Sequence, residues 1–310
     1  MPDRRKQVDE RPPPGAERTP PPVADKAPGS RPEYRLTSQV LAIVAVLMLS
    51  FYIELTVLGG LRHDRDQTRL ATEFRNQLAN ATTPVGPFDD AAKPLVTGTP
   101  VALLEIPQLR LREVIVEGTS SRTLISGPGH RRDTPLPGQA GTSVITGRRA
   151  TYGGPFRSID QLRAGDRFTV ITGQGASTFA VLGVRRAGNP VPPTLSRGHG
   201  RLTLVTTDGP ALAPIDTLRV DAELVSDAQP RPAQLPSQVL PAADAAMAGD
   251  SSALWGVVGW SVLLLGAAIA TVWVRFRTGP WQAWVIGLPV LVTLGLVVTD
   301  EIAAMLPNLL

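Results

Sequence analysis

Two stretches of this chain, Ala253–Val274 and Pro280–Thr299, carry no charged side chain. Each is long enough to cross a bilayer as a helix, which takes about 20 apolar residues. Nothing else in the sequence constrains the fold as strongly, because backbone facing lipid must satisfy its own hydrogen bonds and is therefore helical. Between the two runs lies only Arg275-Phe276-Arg277-Thr278-Gly279, a tight turn between two membrane helices. Trp255, Trp260, Trp273, Trp281 and Trp284 fall towards the ends of the runs, where indole rings anchor at the interface. A third apolar run, Val40–Leu58, has Glu54 as its one charge. That carboxylate lies about 21 Å along the helix, near its far end and within reach of headgroups. The run follows a long polar tail and lacks a small-residue cleavage site, which predicts a retained signal anchor. Three transmembrane helices are therefore expected, at 37–59, 253–274 and 280–299.

Arginine placement predicts their orientation. Arg31 and Arg35 flank the first run, and Arg275 and Arg277 form the turn between the other two. The positive-inside rule places both segments in the cytoplasm. Residues from about 60 to 250 are then extracytoplasmic, as is a tail at 300–310 with Asp300 and Glu301. The expected location is the cytoplasmic membrane, multi-pass, with the N-terminus inside. Residues 1–36 hold nine prolines, six of them in two triplets, Pro12–Pro14 and Pro20–Pro22, among mixed charges, and are expected to be disordered. Leu70, Phe74 and Leu78 recur at four-residue spacing and predict a helical stalk within 60–97, with a loop over 81–97. A Pro/Ala-rich linker at 227–250 is expected to space the folded domain from the second span.

Composition excludes several chemistries. The chain contains no cysteine, so disulfides, thiolate nucleophiles and cysteine-ligated metals are ruled out. Three histidines, His63, His130 and His199, are too scattered to predict a metal centre, and no cofactor is expected. The net charge of +4 sits in the N-terminal tail and beside apolar runs, not in a basic stripe with interleaved aromatics. Nucleic acid is therefore not an expected partner.

Between 98 and 226 the pattern changes to short β runs with turn punctuation. Strands are predicted at Val101–Ile106, Glu113–Glu117, Ser143–Gly147, Arg167–Thr172, Thr178–Val184, Leu202–Thr206 and Leu218–Val225. A capped helical turn is expected within Thr119–Ser126, with Thr119 or Ser120 as the cap. A second short helix is expected at Ser158–Arg163, ended at Ala164-Gly165. Many short strands with two short helices predict a mainly β domain closed as a barrel.

The stretch VALLEIPQLRL…VIVEGTS…GPGH…LPGQAGTSVITGRRATYGGPF…IDQLRAGDRFTV…RLTLVTT…AELV resembles a sortase domain throughout its length. The likeness is to actinobacterial membrane-anchored sortases of the class E and class C type. It implies an eight-stranded β-barrel with short helices, in a family that cuts a cell-wall sorting signal after threonine and passes the acyl group to an amine. It also implies where catalytic residues would lie, and there this chain departs from the pattern. The family's His falls on Arg148 in Gly147-Arg148-Arg149, its nucleophilic Cys on Thr207 in Thr203-Leu204-Val205-Thr206-Thr207, and its Arg on Thr217. Arg219, two residues on and on the same strand face, is the possible substitute for that Arg. The resemblance also makes Tyr152, Thr207 and Arg219 candidates for lining a peptide groove, and implies that Phe156 packs under the barrel edge.

An arginine has no acceptor and cannot shuttle a proton. A threonine hydroxyl needs a neighbouring base, and none is evident at the matched positions. These losses predict a degenerate sortase that binds peptides or envelope proteins, such as sorting-signal-like tails, without turning them over. Two alternatives stand beside this reading. One is an active peptidase or transpeptidase in which His130 or His199 serves Thr207, oriented by Asp208. The other is a structural subunit of a membrane complex.

Overall fold

Strand-forming residues in alternation build the centre of the molecule, and the computed structural model describes residues 51–89, 91–210, 214–278 and 280–310. Eight strands close into one barrel: β1 (Pro100–Ile106), β2 (Leu111–Glu117), β3 (Gly129–His130), β4 (Gly141–Thr146), β5 (Arg167–Thr172), β6 (Gly175–Arg185), β7 (Gly200–Asp208) and β8 (Asp216–Leu224). Their order around the barrel is β1-β2-β3-β4-β7-β8-β6-β5, with β5 returning to β1. Two pairings are parallel, β2 with β3 and β4 with β7, and the rest are antiparallel. Closure leaves no strand edge open. Alternate side chains of every strand point inward and fill the interior: Leu104, Ile145, Phe168, Phe179, Leu204 and Val220 are all buried. Phe168 and Phe179 stack there with ring centroids 5.7 Å apart.

The mainly β fold matches the sequence expectation, with seven of the eight strands foreseen. The eighth, β3, has only two residues and carries no periodicity to read. The two expected helices shrink to single 3-10 turns at Thr123–Ile125 and Ile159–Gln161. Ser120, one of the two expected caps, precedes the first turn, and its Oγ accepts from the Thr123 N–H at 3.4 Å.

Helix α1 (Gly59–Ala79), entered through a π-helical turn at Glu54–Leu58, is the stalk. It lies along the barrel wall and does not stand clear of it. Leu70 and Phe74 are buried against Val114 and Val116 of β2, while Leu78 stays 37% exposed. The 227–250 segment, expected as a spacer, is likewise held to the barrel. Gln229 donates its N–H to the Gly138 carbonyl, Gln139 and Gln229 form a β-bridge, and the Asp244 carbonyl accepts from Thr119.

Helices α2 (Ala253–Thr278) and α3 (Pro280–Met305) form a close hairpin, tight enough that a Cβ on Gly287 would strike the Thr271 side chain. Their outer faces remain apolar and open: Trp255 is 80% exposed and Ile286 68%. Among the described residues two helices are long and apolar enough to cross a membrane, with windows at Ala253–Thr271 and Val285–Met305. Three were expected. The first, 37–59, lies outside the described residues up to 50, as does the tail 1–36; its remainder is helical. The third extends beyond 299, because Asp300 and Glu301 are not a free acidic tail. They stay in the helix and pair with Arg62 of α1 at 2.6 Å and Arg122 of the barrel at 2.8 Å.

Candidate functional site

Strand β4 stops at Thr146, but the next residue still follows the ladder: Gly147 donates its N–H to the Val205 carbonyl and accepts Thr206 Oγ1 at 2.8 Å. Gly147 must lack a side chain, since a Cβ there would come within 2.5 Å of the Phe156 ring. That packing sets the direction of Arg148. Its side chain is fully buried, with Nη2 donating to Ser121 O and Oγ, both at 2.8 Å, and Nη1 donating to Thr151 Oγ1 at 3.0 Å. The guanidinium lies 5.0 Å from the centre of the Tyr152 ring. Among the described residues no carboxylate comes within ion-pairing distance of it, and its Nε has no partner. Burial lowers its pKa to about 10, opposed by Tyr152, so it remains a cation at neutral pH. Burial pushes the Tyr152 phenol up to about 12, so that ring is neutral.

Thr207 sits near the end of β7, opposite Thr217 of β8. The period of two puts Thr203, Val205 and Thr207 on the face away from the barrel interior, since Leu202 and Leu204 fill the core. Thr207 is 1% exposed, and its Oγ1 has no hydrogen-bond partner among the described residues. Arg219 faces Val205 across the ladder, so it shares the side of Thr207 one pleat period away. It is half-buried and forms no ion pair among the described residues. The Thr217 hydroxyl donates to its neighbour Asp216 at 3.4 Å. The sequence-matched positions Arg148, Thr207 and Thr217, with Arg219, are thus gathered at one end of β4, β7 and β8.

Neither histidine proposed as a stand-in base is near Thr207. His130 is buried on β3, its Nδ1 bonded to Glu117 at 2.8 Å and its Nε2 to the Pro135 carbonyl at 3.0 Å. His199 precedes β7, eight positions before Thr207, or about 26 Å along an extended strand. Asp208, the expected orienting group, is taken by Arg149 at 3.7 Å and Arg186 at 3.1 Å. Phe156 is buried in the core under Gly147, and Tyr152 closes the site wall rather than lying open to solvent at 1% exposure.

Sequence reasoning missed four participants. Ser121 and Thr151 hold Arg148, and Arg149 joins the Thr207 carbonyl at 2.7 Å to Asp160 at 3.4 Å. The fourth is His63 on α1, beneath the turn at Tyr152-Gly153-Gly154, where all three residues have positive φ. A Cβ on Gly153 would lie 2.7 Å from the His63 ring, so only glycine fits. His63 pairs with Glu113 of β2 at 3.1 Å. Burial pulls its pKa down, but the hydrogen bond and charge of Glu113 outweigh this and raise it. With the folded pKa above the unfolded one, the pair contributes in full below the ordinary value of about 6.5 and is lost as pH rises through the folded value. His63→Gln is expected to cost about 1–3 kcal/mol at pH 6 and much less at pH 9. Denaturant unfolding of both proteins at the two pH values checks this; an equal gap at both would contradict it.

Comparison with known proteins places this arrangement. Residues 104–225 match the family model described as Sortase domain. The chain is 29% identical over 111 residues to Sortase D of Bacillus subtilis, covering 36% of this chain and 54% of that protein. It is 29% identical over 192 residues to Sortase SrtE1 of Streptomyces coelicolor, covering 57% of this chain and 53% of that one. The chain therefore spans about half the length of the curated relatives it matches. Similar solved structures include a Clostridium perfringens Sortase D5 transpeptidase, with a TM-score of 0.42, 21% identity, and coverage of 52% of this chain and 99% of that one. Another is Sortase E1 from Streptomyces coelicolor with a tripeptide in the active site, with a TM-score of 0.36, 25% identity, and coverage of 47% and 96%.

Proposed function

We propose that this chain is a membrane-anchored, extracytoplasmic sortase-like protein that binds a peptide or protein tail in the cell envelope without transpeptidation, a reading supported by the match of residues 104–225 to the Sortase domain model. One observation carries the loss of turnover. The Thr207 hydroxyl has no hydrogen-bond partner among the described residues, and Arg149, which donates to the Thr207 carbonyl, cannot take its proton. The apolar outer faces of α2 and α3 support anchoring, and Arg275 and Arg277 near the end of α2 support the orientation. The retained barrel, with Thr207 and Arg219 on one face of β7 and β8, supports a binding role. Thr207→Ala is the test. Neither the wild type nor the variant is expected to cleave a fluorogenic sorting-type peptide, and both bind it alike. Cleavage by the wild type that disappears in Thr207→Ala would restore the active-enzyme reading.

A further inference from the structure

The face of β7 that carries Val205 and Thr207 is covered by the chain itself. After α3 the segment 306–310 turns across the barrel, and Asn308 and Leu309 are fully buried while Leu310 is 6% exposed. Leu309 packs in one cluster with Val205 and Leu124. Its carbonyl accepts the Arg149 N–H at 3.1 Å, and the Leu310 carbonyl accepts Thr151 Oγ1 at 2.7 Å. Asn308 fits a polar seat: its Nδ2 donates to the Thr119 carbonyl at 2.7 Å and the Ala245 carbonyl at 2.9 Å. Its own N–H donates to the Ala248 carbonyl at 2.9 Å. The segment offers one carboxamide and one N–H to backbone carbonyls, accepts from one backbone N–H and one hydroxyl, and packs Leu309 in an apolar cluster. It is held as a turn, closed by the Leu310 N–H on the Pro307 carbonyl at 3.1 Å, and is seated by these polar contacts and one apolar anchor.

We propose that the groove beside Thr207 is a binding site for peptides that present a carboxamide side chain followed by aliphatic residues in a turn, and that the segment 306–310 is its built-in occupant. This rests on the peptide-binding reading above and names its ligand chemistry and its closure. Thr151 links the two halves of the site, because its hydroxyl accepts from Arg148 and donates to Leu310. An external peptide binds only when the segment leaves. The segment follows directly on α3, whose Ala303 carbonyl accepts Ser121 Oγ at 3.3 Å.

The absence of cysteine makes the test direct, since one introduced thiol is the only one in the protein. Val205→Cys in the full chain is expected to react with iodoacetamide slowly, and at least tenfold faster when Leu309→Asp is added. The synthetic peptide Leu-Pro-Asn-Leu-Leu, residues 306–310, then slows the reaction again. Equal labelling in the two backgrounds overturns the built-in occupant, and a peptide without effect overturns the ligand chemistry. Leu204→Cys, on the inner face, reports unfolding. If Leu309→Asp exposes it, the milder Asn308→Ala decides: it must speed Val205→Cys while Leu204→Cys stays protected, or the proposal falls. A sorting-type peptide that gives no protection where Leu-Pro-Asn-Leu-Leu does would defeat the sorting-signal reading and leave this one standing.

Discussion

Phe156→Ala is expected to cost about 3–5 kcal/mol, because the ring is fully buried in the barrel core. The loss reaches the site directly. Phe156 donates its N–H to the Arg148 carbonyl at 3.0 Å, and its ring takes the volume that a Cβ on Gly147 would need. Gly147→Ala is therefore expected to cost about 1–3 kcal/mol by overpacking. In the Gly147→Ala background, Phe156→Leu is expected to recover part of that loss, since the smaller side chain yields the contested space. Equilibrium unfolding of the two single variants and the double variant measures the coupling, and strictly additive losses would show that the two residues do not compete.

The second large effect concerns activity. With Leu309→Asp present throughout, Arg148→His, Thr207→Cys and Thr217→Arg together are expected to raise acyl transfer from a sorting-type peptide at least a hundredfold over Thr207→Cys alone. The magnitude follows from general acid catalysis, which contributes about 10²- to 10⁴-fold. The thiol introduced by Thr207→Cys still lacks a general acid, because the guanidinium of Arg148 at the family's His position cannot protonate the departing amine. Imidazole can. Mass spectrometry of the thioester adduct, with release to hydroxylamine, reads both steps. Equal turnover by Thr207→Cys alone would show that proton donation is not the missing function.

How much of this was legible in the sequence varies with length scale. The barrel was readable because six- to eleven-residue strands alternate apolar and polar residues, as in Arg167–Thr172 and Gly175–Arg185. β3 was not, since two residues cannot show a period. The positions of Arg148, Thr207 and Thr217 followed from motif order, and the structure brings them to one end of the barrel. Their surroundings did not follow. Arg148 reads as a surface residue by type, and its burial depends on Ser121 and Thr151, which no local pattern links to it. The tail at 300–310 looked solvated because its charges were visible and their partners were not. Arg62 and Arg122 meet Asp300 and Glu301 across 238 and 179 residues.

Those two ion pairs have a consequence for how the barrel searches for its ligand. Were 227–250 a loose flexible tether, a linker of that length would let the barrel wander roughly 25–30 Å. Instead α1, the 227–250 segment and the end of α3 all grip the barrel, and the groove is mounted on the hairpin with no slack. In a bilayer this fixes its height and heading. A partner tail anchored in the same membrane then meets the groove at a high effective concentration if its own linker spans that fixed height, and almost never if it does not. On the proposed peptide-binding reading, selection among partners would thus rest on stem length as much as on the residues the groove reads.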